Sequence, residues 1–224
     1  MGYLGPAGTH SEAAARWLEA HVRRADGARR LQPFADIDEV LHAVETGEVA
    51  SGFVPVENSL EGAIHVTLDT LARSEALAVA REVIWPVHNE LMARCEAAAV
   101  RRIYSHAQPI SQCRAYLAAH FPRAELVEVA STARAAKLVA AAPPEEGLAA
   151  ICTVRAGELY GLSPLAHEIQ DSMANCTRFF EVVRRGTPPA LPQEKLLVIC
   201  QIDGSRAGSL VNVLQEFAVR GINM

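Results

Sequence analysis

Thr177 and Arg178 stand together in the run Asn175-Cys176-Thr177-Arg178-Phe179, just ahead of an apolar, β-rich stretch containing Phe180, Val182 and Val183. A hydroxyl and a guanidinium at the mouth of a buried strand have two uses. They cap and anchor the strand, or they hold an anion and help move a proton. Three other stretches pose the same choice. GPAGTHS, Gly5 to Ser11, either offers backbone N–H groups to an anion ahead of a helix or is a tight turn capped by Thr9. It lacks the G-K-[ST] of a P-loop. PVENSLEG, Pro55 to Gly62, puts Glu57, Asn58 and Ser59 at the end of a strand, where burying them is costly unless they are bonded. The alternative there is a helix cap by Asn58 or Ser59. SHAQPISQC, Ser105 to Cys113, sets a hydroxyl, an imidazole and the amides of Gln108 and Gln112 behind a strand, with a capping loop again the alternative. His106 has no Cys or Asp neighbour to make it a triad base, and the eight histidines show no metal-type spacing such as H-E-x-x-H. Together these stretches place neutral hydrogen-bonding groups at strand ends, with Arg178 as the firm positive charge. Such a pocket suits an anionic small molecule whose reaction needs orientation and one proton rather than covalent catalysis.

The totals bound the setting. The 224 residues suffice for one large domain or two small ones, and 50% hydrophobic with 21% charged is an ordinary globular balance. Aromatics are only 5%, so Ala, Val and Leu must build the core. A formal charge of -5 with no basic block argues against nucleic acid and anionic membrane surfaces, yet a few donors in a cleft can still hold a small anion. The five cysteines are scattered, with no C-x-x-C pair. That points away from a disulfide framework or a metal site and towards free thiols in a reducing, cytoplasmic setting. MGYLGPAGTH has no charged-then-apolar leader, and no apolar run approaches the ~20 residues of a membrane span.

The elements that must position these groups follow from periodicity. Thr9 with Glu12 reads as a capping box for a helix whose face carries Ala13, Ala14, Trp17, Leu18 and Val22. LQPFAD predicts a strand. Asp36 with Glu39 predicts a second capped helix, with stripe Ile37, Val40, Leu41, Val44 and a stop at Gly47. ASGFVPVEN is a strand with a polar end, and EGAIHVTLDTLAR a helix. This alternation predicts an α/β layer with mostly parallel strands. LAVAREVIWPVHNELMAR reads as one or two antiparallel strands. A second set follows: strand RRIYSH, helix PISQCRAYLAAHF, strand AELVEVA, helix STARAAKLVAAA capped by Ser131, GLAAICT, the helix-like VRAGELYG, and strands LAHEIQ and TRFFEVV. Two α/β units joined by two extended passages predict two lobes with a cleft. RGTPPALPQE is a Pro-rich linker. After it KLLVICQID predicts a strand, and Leu210, Val213, Leu214 and Phe217 a helical stripe closed by Gly221.

GPAGTHSE, GFVPVENSLEGAIHVTLD, SHAQPISQC and NCTRFFEVV, in this order and at these separations, resemble prephenate dehydratase from Met1 to about Arg185, with TRF as the family hallmark. KLLVICQID, RAGSL and FAVRGIN resemble the first half of the family's ACT regulatory domain. The resemblance implies an α/β fold: a two-lobed, periplasmic-binding-protein type II-like catalytic domain over 1–185 (one lobe about 1–75 plus 155–185, the other about 76–154), a linker over 186–194, and a partial, ferredoxin-like ACT segment over 195–224. It implies conversion of prephenate to phenylpyruvate, carbon dioxide and water in L-phenylalanine biosynthesis, with no cofactor and no metal. Thr177, Glu57, Asn58, Ser105 and Gln112 are the implied catalytic residues. Thr9, Ser59 and Arg178 are implied substrate contacts, and Gly208, Ser209 and Leu210 effector contacts for L-phenylalanine. A homodimer or homotetramer is implied.

Several alternatives stay open at this level. Thr177 can donate to the leaving hydroxyl, with either protonated Glu57 or water as the proton source. Arg178 either grips a substrate carboxylate or braces the loop through Glu57 or Asp171. Arogenate, with an amino group for the keto group, is an alternative substrate. A non-enzymatic two-lobed binder of amino or keto acids is the competing class, although Thr177 with Glu57-Asn58 has no purpose in a pure binder. The chain stops at Met224 inside what the resemblance makes the second ACT strand. The expectation is that its apolar stripe packs on another subunit or on a missing remainder, with phenylalanine inhibition weak or absent and dimerisation compromised unless the catalytic parts pair directly.

Overall fold

The computed structural model describes residues 1–22, 30–187 and 195–223. The chain divides into two compact units, Met1–Ala190 and Leu191–Met224.

In the first unit, β1 (Gly2–Leu4), β2 (Gln32–Phe34) and β3 (Ser51–Asn58) are parallel neighbours, linked through α1 (His10–Val22) and α2 (Ile37–Thr46). The α2 signals act as expected: Asp36 Oδ1 accepts the Glu39 N–H at 2.8 Å, Glu39 Oε2 accepts the Ala35 N–H at 3.0 Å, and left-handed Gly47 ends the helix. The stripe Ile37, Val40, Leu41 and Val44 is buried with Val54, Val56, Phe180 and Val182. Tyr3, Ala14, Leu18, Phe53 and Phe179 form the core on the α1 side of the sheet, where Phe53 and Phe179 stack at 4.8 Å. The strand β3 also carries a short partner, β4 (Gly62–Ala63), ahead of α3 (His65–Arg73), and runs antiparallel to the last strand of the unit, Cys176–Arg184.

The long extended run predicted beyond α3 becomes β5 (Leu77–Pro86) and β6 (Glu90–Ala93). The sequence boundary at about 75 is corrected here. From Leu77 to Pro86, β5 is hydrogen-bonded along Cys176–Arg184, so it belongs to the first sheet, and the crossover shrinks to residues 87–89. A strand goes where its ladder partner is, and a change in composition does not reveal that partner.

The second sheet contains β6, β7 (Arg102–Ser105), β8 (Glu125–Glu128), β9 (Leu148–Cys152) and β10 (Ser163–Ala166), in the order β10-β6-β9-β7-β8. The predicted single helix after β7 is two, α4 (Ala107–Gln112) and α5 (Arg114–His120), broken at the buried Cys113. Ser131 caps α6 (Thr132–Ala141) by accepting the Arg134 N–H, and Thr153 caps α7 (Val154–Tyr160). Both α7 and β10 therefore lie with the second sheet, not with the first lobe as the 155–185 boundary had it. The predicted strand LAHEIQ ends early at Ala166, since Glu168 takes a positive φ of 51° that breaks the extended run. The second return crossover, residues 167–175, leads to β11 (Cys176–Arg184), which completes the first sheet in the order β2-β1-β3-β11-β5.

The second unit contains α8 (Ser209–Ala218), with Gly208 at its N-cap at φ 87°. No residue of α8 is buried, and Leu210 and Leu214 of the predicted stripe are exposed. The strand expected over 195–203 is absent, because no other described residues of this unit offer it a ladder. Of the expected linker, 188–194 lie outside the described residues, as do the Val22 side chain and Met224.

Candidate active site

The carboxyl end of β3 meets the start of β11. In the antiparallel ladder Asn58 stands opposite Thr177, and Glu57 opposite Arg178. Successive side chains on a strand point to opposite faces. The four polar groups therefore separate into two pairs. Asn58 and Thr177 lie on the α1 face, the one that carries Phe179; Glu57 and Arg178 lie on the face that carries Phe180.

On the α1 face the groups are neutral and closely bonded. The backbone N–H groups of Leu60 and Glu61 donate to Asn58 Oδ1 at 3.0 and 3.3 Å, so the amide has one orientation and its nitrogen must face β11. Asn58 Nδ2 donates to Asn175 Oδ1 at 2.9 Å, to Thr177 Oγ1 at 3.1 Å and to the Cys176 carbonyl at 3.3 Å. Asn58 and Asn175 are both buried. Thr177 Oγ1 is thereby an acceptor, and its own O–H has no acceptor among the described residues. The helix-cap alternative does not hold: Asn58 closes the turn between β3 and β4, and α3 begins only at His65, with Ile64 at its N-cap and no side-chain bond there. Ser59 is structural in its contacts: Oγ donates to the Ala174 carbonyl and accepts the Cys176 N–H, both at 3.0 Å.

On the other face Arg178 lies 3.1 Å from Glu82 and 3.5 Å from Glu57. The side chains of Arg178 and Glu57 are each 45% exposed, so this is a solvated charge cluster. Of the brace alternatives, Glu57 holds and Asp171 does not: the Asp171 carboxylate accepts the Ala115 and Tyr116 N–H groups at the start of α5.

Gln112, at the end of α4, joins the neutral cluster from the second sheet's side. Its Oε1 accepts Asn175 Nδ2 at 3.2 Å and Asn89 Nδ2 at 3.4 Å. Ser105 and Thr9 are not drawn into this network. The fully buried Ser105 hydroxyl donates to the Ile151 carbonyl at 2.8 Å, and Thr9 Oγ1 to the Pro6 carbonyl at 3.0 Å. His106 caps α4. The Gly8 N–H of the GPAGTHS turn is already taken by Glu12 Oε2 at 2.5 Å. Burial is the largest influence on Glu12 and pushes its carboxyl up, but the Gly8 N–H, Arg16 and Arg155 together hold it below the usual carboxylate range.

The turn also seals the lobes together. Thr153 Oγ1 donates to the Gly8 carbonyl at 2.7 Å. Gly8 has φ 90°, and a Cβ there would stand 3.1 Å from Ala156 Cβ, so the position requires glycine. Nearby lies a cavity of about 320 Å3, with His10, Trp85, His88, Glu90, Thr153 and Arg155 in its wall. His10 is pushed down to about 4, first by burial and then by His88, and its buried Nε2 has no hydrogen-bond partner among the described residues. Burial pushes the Cys113 and Cys152 thiols up to about 12, which makes them poor nucleophiles. Sequence reasoning missed Asn89 and, as a site residue, Asn175. The available signal was an asparagine in each extended passage between the two α/β units.

Two α/β lobes, two crossovers between them and a returning antiparallel strand in the first sheet define a protein built like a type II periplasmic binding protein, as the resemblance implied. Its family is narrower. Residues 1–187 match the family model of prephenate dehydratase. A bifunctional chorismate mutase/prephenate dehydratase of Stutzerimonas stutzeri is 38% identical over the whole chain, which spans 59% of that relative's length. A prephenate dehydratase of Mycolicibacterium vanbaalenii is 37% identical, with the whole chain and 74% of the relative covered. The crystal structure of prephenate dehydratase in complex with L-Phe from Arthrobacter aurescens superposes with a TM-score of 0.80 at 33% identity, covering 98% of this chain and 72% of that one. The chain belongs to the prephenate dehydratase family.

Proposed function

We propose that the chain catalyses the decarboxylating dehydration of prephenate to phenylpyruvate in L-phenylalanine biosynthesis. The carboxylate on the ring leaves as carbon dioxide, its bond electrons enter the ring, and the ring hydroxyl departs with its electron pair. One proton taken up converts that hydroxide to water. Aromatisation supplies the driving force, so the protein has to hold the dianion and assist the departing oxygen.

The observation that carries the reading is the bond from Asn58 Nδ2 to Thr177 Oγ1. It occupies a lone pair of the hydroxyl and leaves the O–H to donate to the departing oxygen. A threonine hydroxyl is a poor acid, so Thr177 polarises and relays while water supplies the proton. Glu57, on the opposite face and paired with Arg178, enters as part of a brace. The free amide nitrogen of Gln112 binds a substrate carboxylate. Ser59, Ser105 and Thr9 act by holding the loops that shape the site, since their hydroxyl protons are bonded to the Ala174, Ile151 and Pro6 carbonyls.

The wider reading includes regulation, assembly and location. L-phenylalanine is the effector of the full-length family pattern, with Gly208, Ser209 and Leu210 as its contacts and weak or absent inhibition in this 224-residue form; the relative crystallised with L-Phe supports the effector. Association as a homodimer or homotetramer is supported by the exposed apolar side chains of α8, and light scattering would measure it. A cytoplasmic location is supported by five free cysteines; among the described residues no helix is long and apolar enough to cross a membrane.

The test is to mix purified protein with prephenate at neutral pH and follow phenylpyruvate by its absorbance in alkali, with arogenate in a parallel reaction. Turnover of prephenate is expected. Preference for arogenate would replace the substrate and keep the chemistry. Binding of either without turnover would return the chain to the binder class.

A further inference from the structure

Gln112 is where the two crossovers meet. Its Oε1 takes one N–H from Asn89 in the first crossover, at 3.4 Å, and one from Asn175 in the second, at 3.2 Å. An amide oxygen that accepts two donors cannot be exchanged for the nitrogen without setting N–H against N–H. The orientation of Gln112 is therefore fixed, and its two N–H groups point away from both asparagines, without a partner among the described residues. The polarity is inherited from the backbone. Leu60 and Glu61 N–H groups orient Asn58, Asn58 Nδ2 orients Asn175 through Oδ1, and Asn175 then has only its N–H group to offer Gln112. Asn89 is fully buried; its backbone is tied by the N–H that donates to Gln170 Oε1 at 2.9 Å, and its side chain is bonded through Nδ2 to Gln112 alone among the described residues, Oδ1 having no partner there.

We propose that Asn175 and Asn89 are positioning residues that fix the Gln112 amide with its N–H groups towards the cleft, as a paired donor for a substrate carboxylate. Neither asparagine touches the reacting atoms; both act through Gln112, and Asn175 also acts through Asn58. The proposal rests on the dehydratase reading for its substrate, though the fixed amide itself does not depend on that reading.

Steady-state constants for prephenate should be measured on the full chain and on Asn89→Ala, Asn175→Ala, Gln112→Ala and the two doubles with Gln112→Ala, with melting temperatures as the folding control. Asn89→Ala should raise KM roughly tenfold with kcat changed far less, as expected for lost ground-state binding. In the Gln112→Ala background that penalty should shrink to within about twofold, because contacting residues couple. The Asn175→Ala penalty should shrink at least about fivefold there, the remainder passing through Asn58. Penalties that simply multiply in the doubles would overturn the proposal. A second readout needs no turnover. In 15N-labelled protein, the side-chain amide signals that vanish in Gln112→Ala should shift in both asparagine variants, and unmoved signals would equally overturn it. Absent prephenate turnover in the parent with shifted amide signals would instead sink the functional reading alone.

Discussion

The two faces of the β3–β11 ladder carry four polar residues that are adjacent in pairs along the chain, yet they are different environments. The Asn58–Thr177 face is uncharged and built on the buried amides of Asn58 and Asn175, with directed hydrogen bonds that reach a half-buried Thr177. The Glu57–Arg178 face is half-exposed and charged. In a buried site a fixed dipole keeps its full effect on a developing negative charge, while solvated ion pairs are screened and contribute at most about 1 kcal/mol. Under the proposed dehydration, the contrast favours chemistry on the neutral face and mechanical support on the charged one.

Breaking the neutral face should cost most. Thr177→Val removes one hydroxyl and keeps the shape, and kcat is expected to fall ~100-fold or more with the fold retained. Purified variant protein within a few-fold of the parent would end the assignment. Asn58→Ala comes next. It frees the Thr177 hydroxyl to turn and leaves the Leu60 and Glu61 N–H groups without their acceptor, so kcat should drop ~10-fold or more and stability by about 1–3 kcal/mol, read from denaturant midpoints. A stable, fully active Asn58→Ala protein would contradict both halves of that statement.

The same comparison sharpens with pH. His10, at the start of α1, sits at about 4 in the folded protein against its ordinary 6.5. The unfolded chain then binds the proton first, so stability should decline as pH falls from about 6.5 towards 4. The melting temperature should follow that decline, and His10→Asn should flatten it over this window. An equal slope in both proteins would place the sensitivity elsewhere.

The smallest effects belong to the charged face. Glu57→Gln should leave kcat within a few-fold, and Arg178→Lys, which cannot reproduce the guanidinium fork, should cost under about 1 kcal/mol of stability and raise KM modestly. Loss of turnover in Glu57→Gln on the scale of Thr177→Val would make Glu57 the proton source and erase the distinction between the faces.

Much of this could be read along the chain. The cap and stop of α2, the polar ends of β3 and β11 and the family motifs are local signals, and local signals survive without coordinates. The separation of Glu57 from Asn58 was available too, since alternation puts neighbours on a strand on opposite faces, but motif reading grouped them as one cluster. Long-range pairing was not available. Nothing in the spelling of LAVAREVIWP says that it zips along β11, and nothing places Asn175 against Gln112, 63 residues away. Such contacts depend on which strand occupies the next place in the sheet. The strand expected over 195–203 failed for a related reason: β-branched residues permit an extended chain, but a ladder partner makes it a strand.

The two crossovers are joined directly as well as through Gln112, for the Val87 N–H donates to the Asn175 carbonyl at 3.0 Å. A single strap between two bodies is free to bend and to twist. A pair of short straps clasped side by side resists torsion and leaves mainly one bending freedom. Whatever relative motion the lobes have is thereby confined mainly to one arc, like a book on a stiff spine, and the Gly8 turn stays aligned with its seat on Thr153 Oγ1.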